Sequence, residues 1–338
     1  MDKQVFPKQV DVLIAGSGPA GLFATSELIK GGASVLTVDA RQVIGKPVRC
    51  GELSRRLLFE TFKLEPQPGW IRWRLKEQGA AIVLDREKFE GDFSRRLNED
   101  GADIRANIGV VGVGPFDGTG RKVTLASGGD RHEVMARCII AADGVSSRVA
   151  QMCGVNTFLA LDDLGSCLAY RLNECELADP HSSFIRYLPH HFPFYFWIIP
   201  SGLHEANVGI VLPSRQGFLL KKALAKALAT GKGLVGGKIV KTVVGLYSLT
   251  LPLPKPYADG LLIAGGAARM VDRRTGEGIW HAAVSGTAAA RTILESRGSF
   301  TAEYLAAYRR RLEPLYLDLE EKFKVTEPER QNAGKTAG

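Results

Sequence analysis

The stretch 11–39, DVLIAGSGPAGLFATSELIKGGASVLTVD, restricts the possible fold of this chain more than any other. Val10, Val12, Leu13 and Ile14 have strand composition, Gly16-x-Gly18-x-x-Gly21 turns the chain, and 22–29 carries a helical pattern. The three glycines serve different ends. Gly16 permits the tight turn, Gly18 lets the backbone approach a pyrophosphate, and Gly21 lets the helix lie close on the sheet. The first helical turn, with Ala20 and Gly21, presents free N–H groups to phosphates. Residues 34–38 read as a second strand, and Asp39, followed by Ala40, ends it where ribose hydroxyls would donate to a carboxylate. A dinucleotide with an unphosphorylated adenosine ribose is expected. The alternative is a glycine-rich helix start with no ligand.

With 338 residues, 45% of them hydrophobic and 24% charged, the chain can bury a large core in two lobes. No apolar run reaches the roughly 18 to 20 residues of a membrane span, and MDKQVFPKQV lacks the apolar core of a signal peptide. A cytoplasmic location is expected. Cys50, Cys138, Cys153, Cys167 and Cys175 are odd in number and lack CxxC spacing, which argues against disulfides and zinc. The histidines form no metal-spaced cluster, and adjacent His190 and His191 cannot share a strand face, so no metal is expected. The net charge of +8 is concentrated in 214–241, which holds Arg215, Lys221, Lys222, Lys226, Lys232, Lys238 and Lys241 and no acid. Its FLLKKALAKALA run forms a helix with Leu220, Leu224 and Leu228 on one face and Lys222 and Lys226 on the other. Such a helix suits either packing with a solvated basic face or peripheral contact with an anionic membrane. Aromatics do not interleave with these cations, so nucleic acid is not the expected partner.

Beyond Asp39, IGKPVRCGELS at 44–54 is a glycine- and proline-punctuated loop before a short helix. Residues 70–76 and 80–84 read as a hairpin around Glu77-Gln78-Gly79, and DREKF at 85–89 opens a helix through Asn98. Short strands follow at Ile104, 110–113, 123–126 and 134–140. IIAADGVSSR at 139–148 is an apolar strand that stops at Asp143-Gly144 before a hydroxyl-capped helix start. This puts a carboxylate at a strand's C-terminal edge, where open α/β sheets bind ligands; a turn with a helix cap is the other reading. From 164 to 249 most strand candidates follow one another without a crossover helix, as in an antiparallel sheet. Within it, FPFYFWIIP at 192–200 turns Tyr195 and Trp197 to one face, with Asn207-x-Gly209 on a partner strand. This is either a binding wall or an aromatic core strand. The segment 260–279 gives a strand, a loop and a helix start, and the helix after Gly278 aims its positive end at whatever lies before it. Residues 301–325 read as a helix with Tyr304, Leu305, Tyr308 and Leu312 at helical spacing, and 326–338 as a polar tail.

Together IGxPVRCGE, DRExF, AADGxxSxxR, YxW with a following GxG-like pair, and TGEGI resemble the geranylgeranyl reductase family of FAD-dependent flavoproteins, whose fold is similar to that of aromatic hydroxylases. The resemblance covers about 10–312. It implies an α/β protein: a Rossmann-type FAD-binding domain (1–68, 86–160 and 256–300) interleaved with an antiparallel substrate sheet (69–85 and 161–255), then a C-terminal helix. It also implies FAD as cofactor, with Arg49 and Cys50 against the flavin, Asp143 and Gly144 by the pyrophosphate, and Gly265, Gly276, Gly278 and Ile279 in the third FAD segment. Tyr195, Trp197 and Gly209 would line an apolar channel for an isoprenoid or lipid substrate. The implied reaction is reduction of isoprenoid carbon–carbon double bonds by hydride from reduced flavin, the electrons coming from a donor the sequence does not name. Cys50 would lie at the reacting face, as a catalytic group or as a packing thiol.

The match has departures. The loop at 44–54 is one residue shorter than the family form, and Asn207 stands where a glycine is expected, which would narrow or polarise the channel. Gly266 replaces an aspartate that contacts the flavin's ribityl chain, a hydrogen bond worth about 1.5–3 kcal/mol. Arg269 and Arg273 replace a glycine and a proline. With Arg274 they form either a positive field at the flavin or a solvated basic loop. Two other readings stay open: a related monooxygenase or halogenase on the same frame, and a lipid-binding protein that has lost flavin chemistry.

Overall fold

Residues whose apolar side chains alternate with nothing polar form strands covered on both faces. In the computed structural model, which describes residues 5–76, 81–188, 194–230 and 233–335, this is the state of the first strand, β1 (Gln9–Ala15), fully buried from Val12 onward. The chain turns through the glycines into α1 (Pro19–Lys30) and returns as β2 (Val35–Asp39), parallel to β1 with Val12 opposite Val35. After the 44–54 loop come β3 (Leu53–Arg55) and α2 (Leu57–Phe62), then β4 (Ile71–Arg74), β5 (Ala81–Leu84) and α3 (Arg86–Glu99). Next are β6 (Asp103–Ala106), β7 (Gly109–Val113), β8 (Arg121–Ser127), β9 (Asp130–Ala141) and α4 (Arg148–Met152). A long antiparallel run follows: β10 (Leu164–Leu177), β11 (Phe184–Tyr187), β12 (Tyr195–Pro200), β13 (Ala206–Pro213), α5 (Leu220–Thr230) and β14 (Leu234–Ser248). β15 (Tyr257–Ala258), β16 (Leu261–Ile263) and α6 (Ile279–Glu295) lead to α7 (Ala302–Leu305), α8 (Ala307–Arg311) and α9 (Glu313–Lys335).

These strands make three sheets. The first has the order β15-β16-β9-β1-β2-β6, with β16, β9, β1, β2 and β6 mutually parallel and β7 and β8 hanging from β9 as hairpins. It is the Rossmann-type core. The second, β11-β12-β13-β10-β14, is antiparallel, and α5 covers one of its faces through Leu220, Leu224 and Ala227. The apolar face of the basic helix is therefore buried on the sheet, and Lys221, Lys222 and Lys226 face outward. The third sheet, β3-β5-β4, was only half expected: the hairpin is there, but Leu53–Arg55 joins it as a strand rather than leading directly into a helix. The hairpin turn at 77–79, the His190-His191 pair, Phe192 and Pro193 lie outside the described residues.

Helices α1 and α6 lie side by side because small residues face each other. A Cβ at Gly286 would stand 2.0 Å from the Ala20 carbonyl oxygen, and one at Gly265 2.9 Å from the Ala20 Cβ. At the C-terminus, three helices replace the single one expected, and α9 continues to Lys335 where a polar tail was expected beyond 325. Tyr308 donates its hydroxyl to the Ile263 carbonyl at 2.9 Å and Tyr316 to the Leu253 carbonyl at 2.5 Å, which packs α8 and the start of α9 on the core. Among the described residues no helix is long and apolar enough to cross a membrane.

Candidate active site

The N-terminus of α1 has no side-chain cap, and a Cβ at Gly18 would meet no atom within 4 Å, so the helix start opens onto free space. Asp39 lies at the adjacent strand end with both oxygens engaged. Its Oδ2 accepts from the Ser17 N–H (2.8 Å) and hydroxyl (2.6 Å), and Oδ1 from the Arg41 N–H (2.8 Å) and Nε (2.9 Å). Burial pushes its pKa up, but Arg41 and Ser17 outweigh that and hold the carboxyl below its usual value. Asp143 is likewise committed: it accepts from the Ser147 hydroxyl (2.5 Å) and from the Arg148 and Val149 N–H groups (2.8 and 3.1 Å). Its carboxylate caps α4, as the turn-plus-cap alternative described, while Gly144 beside it takes φ +90°. Ala40 is exposed at the end of β2.

From Arg41 an ionic chain runs inward. Arg41 also pairs with buried Glu90 at 3.2 Å, Glu90 pairs with Arg86, and Arg86 interacts with the Cys50 thiol. The Cys50 sulfur in turn accepts from the Glu52 N–H at 3.2 Å, and the buried Glu52 carboxylate pairs with Arg171 of β10. The loop at 44–54 is thus tied by charge to α3 and to β10 of the second sheet.

That loop forms one wall of a cavity of about 280 Å3, to which Arg49, Cys50, Tyr195, Trp197 and Gly276 all contribute. Tyr195 and Trp197 come from β12 and Gly276 from the turn before α6, so residues far apart in sequence converge. The Tyr195 hydroxyl donates to the Thr275 carbonyl at 2.5 Å, and a Cβ at Gly276 would come within 2.9 Å of that hydroxyl. Trp197 donates its indole N–H to Asn207 Oδ1 at 2.9 Å. Gly209 lies beneath the same ring, where a Cβ would stand 2.3 Å from the indole. Asn207 and Gly209 are not among the cavity-lining residues; they hold and seat the ring that is. Asn207 therefore does not narrow this cavity. Replacing Asn207 with leucine leaves a buried indole N–H without an acceptor and is expected to cost about 1–3 kcal/mol, read by urea unfolding.

The helix α6 opens at Gly278 without a side-chain cap, so its N–H groups face the turn by the cavity. The Ile279 side chain is buried in the core beside Leu22 and Phe23, leaving only its backbone to meet a ligand. The arginine-rich loop before it is not a solvated basic loop. Arg273 is buried, donates to the Phe323 carbonyl at 2.8 Å and stacks 3.7 Å from the Phe323 ring, so it anchors α9. Arg269 reaches the Thr250 hydroxyl and the Phe158 carbonyl, both at 3.3 Å. A Cβ at Gly266 would lie 3.4 Å from the Val145 N, so the Gly144-Val145 turn occupies the space beside it.

Sequence reasoning missed four groups on the cavity wall: Glu52, Cys167, Tyr247 and Glu277. Glu277 sits inside the TGEGI match and Glu52 ends the IGxPVRCGE match, so both carried a signal; Cys167 and Tyr247 had none. Burial, then the neighbouring Cys50, pushes the Cys167 thiol up to about 11. Burial likewise raises the Glu277 carboxyl above its usual value, although Arg55 lies 3.0 Å away.

No family model matches the chain. A geranylgeranyl bacteriochlorophyll reductase-like protein of Thermoplasma acidophilum superposes with a TM-score of 0.90 at 26% identity, covering 96% of this chain and 88% of that one. The flavin-dependent halogenase CmlS superposes with a TM-score of 0.68 at 18% identity, over 93% and 64% of the two chains, which shows a shared fold. The class is that of the FAD-dependent oxidoreductases. A digeranylgeranylglycerophospholipid reductase of Methanosphaerula palustris is 31% identical over 94% of this chain and 86% of the relative. The chain belongs to the geranylgeranyl reductase family of FAD-dependent flavoproteins.

Proposed function

We propose that this enzyme binds FAD and reduces carbon–carbon double bonds in the geranylgeranyl-type chains of a lipid. The observation that carries this reading is the convergence of Cys50, Tyr195, Trp197 and Gly276 on one cavity beside the uncapped start of α6. An isolated alkene has no carbonyl to polarise, so the protein must hold it dry and aligned. Tyr195 and Trp197 have their polar atoms satisfied within the protein, and so present apolar ring surface to the cavity.

The residues present fit FAD. Two helix starts, at Gly18 and Gly278, lack side-chain caps and leave N–H groups for a pyrophosphate and for the pyrimidine edge of a flavin. When bound, reduced flavin supplies the hydride. In this reading Gly16, Gly18, Ala20, Gly21, Asp39 and Ala40 hold the adenosine diphosphate end, with the Asp39 carboxylate, held by Ser17 and Arg41, at the end of β2 beside the ribose. Asp143 and Gly144 shape the loop that faces it. Arg49, Cys50, Gly265, Gly276, Gly278 and Ile279 bound the flavin, and segments 1–68, 86–160 and 256–300 form the FAD-binding unit around the sheet of 69–85 and 161–255.

The test is to purify the protein, identify any flavin released on denaturation, and titrate apoprotein with FAD. The flavin is then reduced anaerobically with dithionite and mixed with digeranylgeranylglycerophospholipid. Reoxidation of the flavin with a gain of two mass units per bond is the expected result. Binding of the lipid with no FAD bound at any concentration overturns it.

A further inference from the structure

Saturating an alkene takes a proton as well as a hydride, and the cavity wall must present it. We propose that Glu277 is the proton donor of this site, a role that rests on the reductase reading above. Its side chain lines the cavity and is 14% exposed, with Arg55 of β3 at 3.0 Å on the outer side.

The other carboxyl, phenol and thiol groups of the wall are committed elsewhere, and the hydroxyls of Ser54, buried without a hydrogen-bond partner, and Ser183 are far weaker acids than a carboxyl. Glu52 is ion-paired with Arg171 and also accepts from the Arg86 N–H at 3.3 Å, so its oxygens are taken by donors. Tyr195 and Tyr247 donate their hydroxyl protons to the carbonyls of Thr275 and Arg273, and burial pushes both phenols well above their usual values. The Cys50 sulfur is an acceptor, from the Glu52 N–H, and stands beside the Arg86 guanidinium. Cys167 is made a weaker acid by burial. Glu277 differs: among the described residues its carboxyl accepts no hydrogen bond from the backbone or from a neutral side chain, and its main-chain carbonyl, not its carboxyl, takes the Asp272 N–H at 2.9 Å. The charges facing it are Arg55 from β3, Asp272 from the preceding loop, and Asp318 and Lys322 from α9. Two of each sign leave burial as the deciding influence, and burial favours the neutral acid.

In the step, the alkene π pair forms the bond to the carboxyl proton at one carbon while the hydride bonds the other. The O–H pair stays on Glu277 as carboxylate. Water at the Arg55 edge returns the proton. Removing a positioned general acid costs about a hundredfold or more in rate.

The experiment has two readouts. First, the infrared band of a protonated carboxyl is followed against pH in the purified protein and in Glu277→Gln, which needs neither cofactor nor substrate. A protonated-carboxyl band that persists to a pH above the ordinary range for a glutamate and is lost in the variant is expected, and identical spectra overturn the proposal. Second, E277Q is expected to retain FAD and be reduced by dithionite like the parent, yet to reoxidise with the geranylgeranyl lipid about a hundredfold more slowly. The parent loses rate as the acid ionises at high pH, and the variant's residual rate shows no such limb. If E277Q does not fold, Arg55→Gln carries the test: with its cation gone the alkaline limb moves to higher pH, and an unmoved limb overturns the assignment. A parent enzyme that never reoxidises with lipid defeats the reductase reading itself; an active parent with E277Q within about threefold of it defeats only the role of Glu277.

Discussion

Arg171→Ala is expected to destabilise the protein by about 3–5 kcal/mol, because it strands the Glu52 carboxylate in a site where the acid side chain is 3% exposed. Two further bonds fix Glu52 there, the Arg86 N–H on its carboxylate and its own N–H on Cys50, so the acid cannot swing out to water. Removing the pair together is a different event. Glu52→Met with Arg171→Met replaces two desolvated charges by apolar groups of similar size and is expected to recover most of the loss. Urea unfolding of the parent, the single and the double variant checks both statements. A single variant within about 1 kcal/mol of the parent would show that water reaches Glu52. The functional consequence follows from position: this pair ties the loop carrying Cys50 to the sheet carrying Trp197, so the alanine variant should also lose the shape of the cavity.

How much of this was legible in the sequence depends on the distance over which each feature is decided. The β1–α1–β2 unit is local: strand, glycine turn, helix and strand lie within 39 residues and each is set by its own pattern. The antiparallel sheet was legible too, since Asn207-x-Gly209 was expected on the strand partnering Tyr195-x-Trp197, and Trp197 does pair with Gly209 while Asn207 faces Ile199. β3 was not. Leu53–Arg55 has too little alternation to read as a strand, and it becomes one only because β5 offers it an edge. The site was half legible. Motif residues reached the cavity, but the charges that hold its walls did not announce themselves: Glu52 and Arg171 are 119 positions apart, and nothing in either neighbourhood marks the partner. Arg273 looked like loop charge because its acceptor and its ring come from α9, in a stretch read as one helix running out into a tail. Long-range pairing of polar groups is the information a single sequence does not carry.

Asp39→Ala is the second large effect, and it separates stability from cofactor binding. In the folded protein burial alone would raise the Asp39 pKa, but the Arg41 guanidinium and the Ser17 donors lower it below the ordinary carboxylate value. A carboxyl with a depressed folded value contributes stability that is fully present above the unfolded value, about 3.9, and is lost as pH falls through the folded one. Arg41 keeps Glu90 when Asp39 is removed, so the cost at neutral pH falls at the lower end for breaking a buried pair, about 3 kcal/mol. The difference in unfolding free energy between parent and variant should therefore be flat from about pH 7 down to about 5 and then shrink steadily with further acidification. A difference that grows on acidification would mean the sign of the shift is wrong. Under the proposed function the same change also removes a charged acceptor at the ribose, and FAD affinity should drop by about tenfold to a hundredfold, the range of one such hydrogen bond. The two losses have different pH courses: the stability difference disappears in acid, while the affinity difference persists wherever Asp39 is ionised. An Asp39→Ala protein that is destabilised as stated yet binds FAD unchanged would assign Asp39 to holding Arg41 and the 44–54 loop, and would leave recognition of the dinucleotide to the open helix start at Gly18.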